Sequence, residues 1–171
     1  KKMSQDESIE HLRFCGRIFG KAVAERSMIG ATLDPVLAQC IVGADFVECS
    51  MEALESVDPV FAKSLKWILN NEITSDFGET LCACRPDNTV VDFCPGGRNM
   101  DVTEKNKDLY VDGMIHFKLL DELQVQRDSF VEGFHSIIHA ERIQGFQIDE
   151  LNLMLTGKTT FDVDEFAKAC K

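Results

Sequence analysis

Seven cysteines are the side chains in this sequence best suited to covalent chemistry: Cys15, Cys40, Cys49, Cys82, Cys84, Cys94 and Cys170. A cysteine becomes a nucleophile when a neighbouring base or charge activates it, and none of the seven stands in a recognisable local motif with a histidine. Cys82-Ala83-Cys84, with Cys94 nearby, raises the question of a metal. A zinc site needs four ligands and usually Cys-x₂₋₄-Cys spacing, whereas residues two apart on a strand merely share a face. His135 and His139 are four apart, as metal ligands can be. No glutamate of a His-Glu-x-x-His motif lies between them, so they read as ordinary helix residues. Gly16 and Gly20 do not open a phosphate loop, because no Gly-Lys-Ser/Thr follows. Gly96-Gly97 reads as a turn. No metal site and no cofactor are expected.

The weight therefore falls on surfaces, and on the elements that present them. The run from Glu55 to Leu69 has a marked helix start, with Asp58 able to accept from orphan amides and Pro59 at the first helical position. Its apolar arc is wider than the ~100° of an ordinary surface helix. Phe61, Leu65 and Ile68 line one face with Ser64 among them; Val60 and Trp67 flank that face and Leu69 extends it. Such a helix either sits deep in a core or shares itself between a core and a partner. On pattern alone, core is the expectation.

The chain has 171 residues, 44% hydrophobic and 27% charged, with a net charge of −11. That size supports one good core or two small ones. The acidic balance argues against a nucleic-acid partner but leaves room for a basic protein surface. No apolar run approaches the ~20 residues that span a bilayer, and no signal peptide is visible. The odd cysteine count in a chain this long fits a reduced cytoplasmic or nuclear compartment. Lys1-Lys2 and Lys171 do not resemble a natural start and stop, so the chain is expected to be a fragment.

The remaining elements follow from periodicity and caps. Residues 7–26 read as an amphipathic helix whose two glycines, each costing ~1 kcal/mol against alanine, imply close approach of another backbone. Asp34-Pro35 starts a helix that Gly43 stops, and 51–57 is a short helix before Asp58. Residues 80–84 and 89–94 read as strands around a Pro86-Asp87-Asn88 turn. Thr103 is expected to cap a helix carrying Leu109, Tyr110, Met114, Phe117 and Leu120. Phe130, Val131, Phe134, Ile137 and Ile138 mark another, Ile148 to Leu155 a third closed by Gly157, and 162–169 a last short one. The fold class is mainly α with a small β-hairpin (α+β). Residues 44–102 form a small subdomain; 1–43 and 103–171 form a large helical one.

In order, Phe14-Cys15-Gly16-Arg17-Ile18-Phe19-Gly20-Lys21-Ala22, Glu55 to Pro59, Ser64 to Leu69, Pro95-Gly96-Gly97-Arg98-Asn99, Val102-Thr103, Asn106, Tyr110-Val111, Phe130 to Phe134 and Glu150 to Gly157 resemble the N-lobe of a HECT-type ubiquitin ligase. Phe161 to Ala169 is similar to the acidic segment before that family's hinge. The resemblance covers nearly the whole chain. Three departures stand out. Asp76 to Thr80 resembles a phrase usually found on the far side of the hairpin, and alignment by segment length instead sets Phe77 before the first strand. Phe146-Gln147 replaces the usual capping residue, which predicts a weak helix start. The family's first helices and its C-lobe, with a catalytic cysteine in a Thr-Cys-Phe context, are not matched.

The resemblance implies a ligase that forms a thioester with ubiquitin and passes it to a substrate lysine. The N-lobe supplies no nucleophile and holds the ubiquitin-charged conjugating enzyme, a proximity contribution. By position, its docking groove comprises Phe61, Ser64, Leu65, Ile68, Phe77, Tyr110 and Met114, completed by the helix starting near 103, while Val60, Trp67 and Leu69 stay with the core. The implied partners are a conjugating enzyme, ubiquitin, and a protein substrate held by regions outside this chain, with no nucleic acid and no membrane. The alternative is a non-catalytic helical interaction scaffold.

Overall fold

The structure is a computed structural model that describes residues 5–43, 47, 49–74 and 77–157. The expected helix over 162–169 and the acidic segment lie outside the described residues. Among the described residues the fold is helical with one small antiparallel hairpin, as the periodicity predicts. Contacts divide it into two units, Lys1–Asp45 with Ser129–Lys171, and Phe46–Asp128.

The first unit contains α1 (Gln5–Ala24), α2 (Pro35–Val42), α7 (Ala140–Ile143), α8 (Ile148–Thr156) and most of α6 (Gln124–His135). Ala22, Val23, Ile41, Phe130, Phe134, Leu151 and Leu155 form its core. The glycine spacing on α1 has the cause inferred from sequence. A Cβ on Gly16 would stand 2.0 Å from the Phe130 carbonyl oxygen, and one on Gly20 would stand 2.8 Å from that of Phe134. Gly133 on α6 answers them, since its Cβ would meet the Arg13 carbonyl at 2.0 Å. Two helices approach this closely only where side chains are absent from both.

The caps of α2 behave as written in the sequence. Asp34 accepts from the amides of Val36 and Leu37, and Gly43 closes α2 at φ 68°. The start of α8 is firmer than Phe146-Gln147 suggested, because the Glu150 carboxylate accepts from the Gln147 amide at 2.9 Å. Asn152 on α8 grips Leu33, accepting from its amide at 2.8 Å and donating to its carbonyl at 3.3 Å. Helix α6 stops at His135, so Ile137 and Ile138 lie in the following turn, where both amides donate to the Phe134 carbonyl. His135 and His139 therefore do not share a helix.

The second unit contains α3 (Met51–Val57), α4 (Pro59–Asn70), β1 (Cys82–Cys84), β2 (Val90–Asp92), α5 (Lys107–His116) and a π-helical turn over Phe117–Asp121. The strands pair Cys82 with Asp92 and Cys84 with Val90. Gly97 is more than a turn residue: a Cβ there would stand 2.1 Å from the Leu81 carbonyl. Residues 103–128, placed with the large helical subdomain by the sequence reading, here join the hairpin unit. Tyr110, Val111 and Ile115 share one core with Leu54, Leu65 and Leu81, and that shared burial moves the boundary. Thr103 does not cap α5. Its amide and hydroxyl donate to Asn106, which precedes Lys107.

Gly16→Ala separates packing from propensity. Helix propensity alone gains ~1 kcal/mol, while the Phe130 contact forbids the methyl. We expect Gly16→Ala to lower the denaturant midpoint by the equivalent of about 2 kcal/mol or more; a raised midpoint would contradict the packing.

Candidate functional site

The site is built where α4 packs against α5 in the second unit. Asp58 sets the start of α4, its carboxylate accepting from the Phe61 amide at 2.9 Å, and Pro59 follows at the first helical position. The far end of α4 is tied to the approach of α5. Lys107 donates to the Asn71 carbonyl at 2.9 Å, and the Ile73 amide donates to Glu104 at 3.1 Å. Hydrogen bonds from Lys107 and then from the Ile73 amide hold the Glu104 carboxyl below its ordinary range. The two helices thus meet at a fixed place before any side chain between them is considered.

The seven residues expected at the groove separate by depth. Leu65, Ile68 and Tyr110 are buried, at 2%, 8% and 6% exposure. They pack in the core, beneath the groove that the resemblance implies. Leu65 and Ile68, three apart, face inward with Ala62. Tyr110 is enclosed by Phe77, edge-on at 6.1 Å between ring centroids, and by Phe93 at 6.0 Å. Phe61, Phe77 and Met114 are half-buried and pack on that core. Ser64 is exposed, its hydroxyl donating to the Val60 carbonyl at 3.2 Å. The buried three make a floor, and the half-buried three rise around it.

The expected core residues Val60, Trp67 and Leu69 are exposed instead, at 76%, 57% and 36%. Helix geometry explains the first two. Val60, Ser64 and Trp67 recur at i, i+4 and i+7, which is a stripe of their own beside the inward face. The sequence held that signal, but the apolar character of Val60 and Trp67 hid it. Phe93 and Lys118 were also not anticipated. Phe93 touches Tyr110 and fills the space over Gly113, where a Cβ would stand 2.3 Å from its ring. Lys118 lies 5.6 Å from the centroid of the Phe61 ring.

This arrangement offers apolar area. Among the described residues there is no group of three or more histidine, cysteine, aspartate or glutamate side chains able to hold a metal. A depression of about 480 Å³ in the first unit, lined by Gln39, Gln144, Gln147 and Phe146 among others, has no ionisable side chain in its wall. No described helix is long and apolar enough to cross a membrane.

The family model described as HECT-domain (ubiquitin-transferase) matches residues 1–171. The chain belongs to the HECT-domain family. It is 34% identical over 171 residues to the E3 ubiquitin-protein ligase ptr1 of Schizosaccharomyces pombe, a match spanning 95% of this chain and 5% of that protein. It is 32% identical over 163 residues to the E3 ubiquitin-protein ligase TOM1 of Saccharomyces cerevisiae, covering 94% and 5%. It is 31% identical over 166 residues to the E3 ubiquitin-protein ligase RSP5 of Chaetomium thermophilum, covering 95% and 20%. The chain thus spans a fifth or less of the length of these HECT relatives.

Tyr110 is the sole tyrosine of this HECT chain, so its ionisation is directly readable. Burial, then the nearby Glu79 charge, then Cys82, push its phenol up to about 12. A raised phenol pKa leaves stability untouched below the unfolded value near 10 and removes it as pH climbs from about 10 towards 12. Ultraviolet titration at 295 nm should place the phenolate transition about two units above free tyrosine, or coincident with alkaline unfolding. A transition near 10 with native circular dichroism would contradict the enclosure of Tyr110.

Proposed function

We propose that this chain is the part of a HECT ubiquitin ligase that docks the ubiquitin-charged conjugating enzyme, on the seam between α4 and α5. The observation that carries the reading is the depth profile of that seam. Leu65, Ile68 and Tyr110 form a rigid floor, and Phe61, Phe77 and Met114 keep apolar area in reach of solvent. Aromatic and methionine side chains on a well-packed base are what interfaces use as anchoring surface. The resemblance read from the sequence implies docking at the same positions. The exposed Val60 and Trp67 extend the apolar area along α4.

The parent transfers ubiquitin through a cysteine thioester, and the catalytic cysteine is not among the seven here. None stands in a Thr-Cys-Phe context. The chain contributes proximity: it holds the charged enzyme so that two cysteines can meet. Charge contributes to the encounter. The unit carrying the seam has 16 acidic and 8 basic residues, so a conjugating enzyme with a basic face is steered to it and associates faster at low salt.

Trp67 is the sole tryptophan and lies exposed on α4, which supplies the probe. The chain labelled with 5-fluorotryptophan should show a fluorine shift on addition of a conjugating enzyme, from a panel, that docks on this seam. Phe61→Ala should weaken that binding by about ten-fold or more with helicity retained. No shift across a broad panel, from a chain of normal helicity, would favour the interaction scaffold instead. A reductant-sensitive ubiquitin adduct on the isolated chain would overturn its assignment as a docking part without a nucleophile.

A further inference from the structure

We infer that Lys118 is a positioning residue of the seam, holding the Phe61 ring in the orientation that a docked partner meets; this rests on the conjugating-enzyme reading above. Tyr110 and Met114 are four apart on α5, and Lys118 follows Met114 by four, which continues the same row of side chains into the π-helical turn. Its ammonium reaches back to α4 and lies 5.6 Å from the centroid of the Phe61 ring, within the range of a cation–π attraction. The same nitrogen pairs with Glu122 at 2.7 Å. Both charged side chains are only 27% exposed, so solvent screens them less than an open surface pair.

The turn that carries Lys118 is itself fixed. The Glu122 amide donates to the Phe117 carbonyl at 2.8 Å, five residues back, and Phe117 is buried. Arg85 donates to the Asp121 carbonyl at 2.9 Å, and Arg127 to that of Leu120 at 2.7 Å. Lys118 therefore projects from a held backbone onto a ring that is only half-buried. A half-buried phenylalanine gains order from such a contact and keeps its remaining exposed area for a partner. Preordering of this kind lowers the cost of binding without adding a contact to the partner.

The test uses the whole chain. In the free protein, ¹³C relaxation of the Phe61 ring should show greater mobility in Lys118→Met than in the wild type, with Lys118→Arg close to wild type. Affinity for a conjugating enzyme bound by the wild type should fall about three- to five-fold in Lys118→Met and recover in Lys118→Arg. In a Phe61→Leu background, Lys118→Met should have no further effect, because the ring is gone. Unchanged ring mobility, or an equal loss of affinity in the Phe61→Leu background, would overturn the inference. A wild type that binds no conjugating enzyme while its Phe61 ring loosens in Lys118→Met would sink the docking reading and leave the hold of Lys118 on the ring standing.

Discussion

The second unit depends on the enclosure of Tyr110. Its ring is the place where α5, the hairpin region and the inward face of α4 meet, with Phe77 and Phe93 packed against it. An aromatic ring buried among other rings contributes more than its area, because edge-on contacts add to the apolar burial. Gly113, one turn further along α5, is bare so that Phe93 can lie against it. With Tyr110 in place, the inward residues of α4 have a surface to close on, and Phe61, Phe77 and Met114 are left at the margin. The exposed part of the seam exists because the buried part is full.

Much of this arrangement was legible in the chain. Asp34-Pro35 and Asp58-Pro59 mark two helix starts by residue type alone, and both carboxylates accept the expected amides. Gly16 and Gly20 declared a close backbone approach, since two glycines in one helix need a reason. The ordered motifs led to the HECT family, which the match over the whole chain shows. Part of what escaped concerns which apolar side chains are covered. Apolar character states that a side chain is costly to expose but not which neighbour will cover it. Leu65 and Trp67 are both apolar and two residues apart, yet one is sealed and the other lies in solvent.

Long-range partners were the other gap. Nothing local to Gly133 announces that it meets the Arg13 carbonyl, and nothing local to Gly97 announces Leu81. Residues 103–128 join the hairpin unit through side chains whose partners lie dozens of residues away. Periodicity could place Tyr110 and Met114 on one helix face but could not say that the first is floor and the second margin. The π-helical turn at Phe117–Asp121, which sets where Lys118 points, has no sequence signature of its own.

In the docking we propose, a conjugating enzyme rests on the half-buried margin of this seam. Intermolecular nuclear Overhauser effects from the methionine methyls test it most directly, because the six methionines are spread along the chain. With the chain methyl-labelled and a bound conjugating enzyme unlabelled, Met114 should show cross-peaks to the partner, while Met28 and Met154 in the other unit should show none. A complex in which Met28 or Met154 contacts the conjugating enzyme and Met114 does not would contradict it.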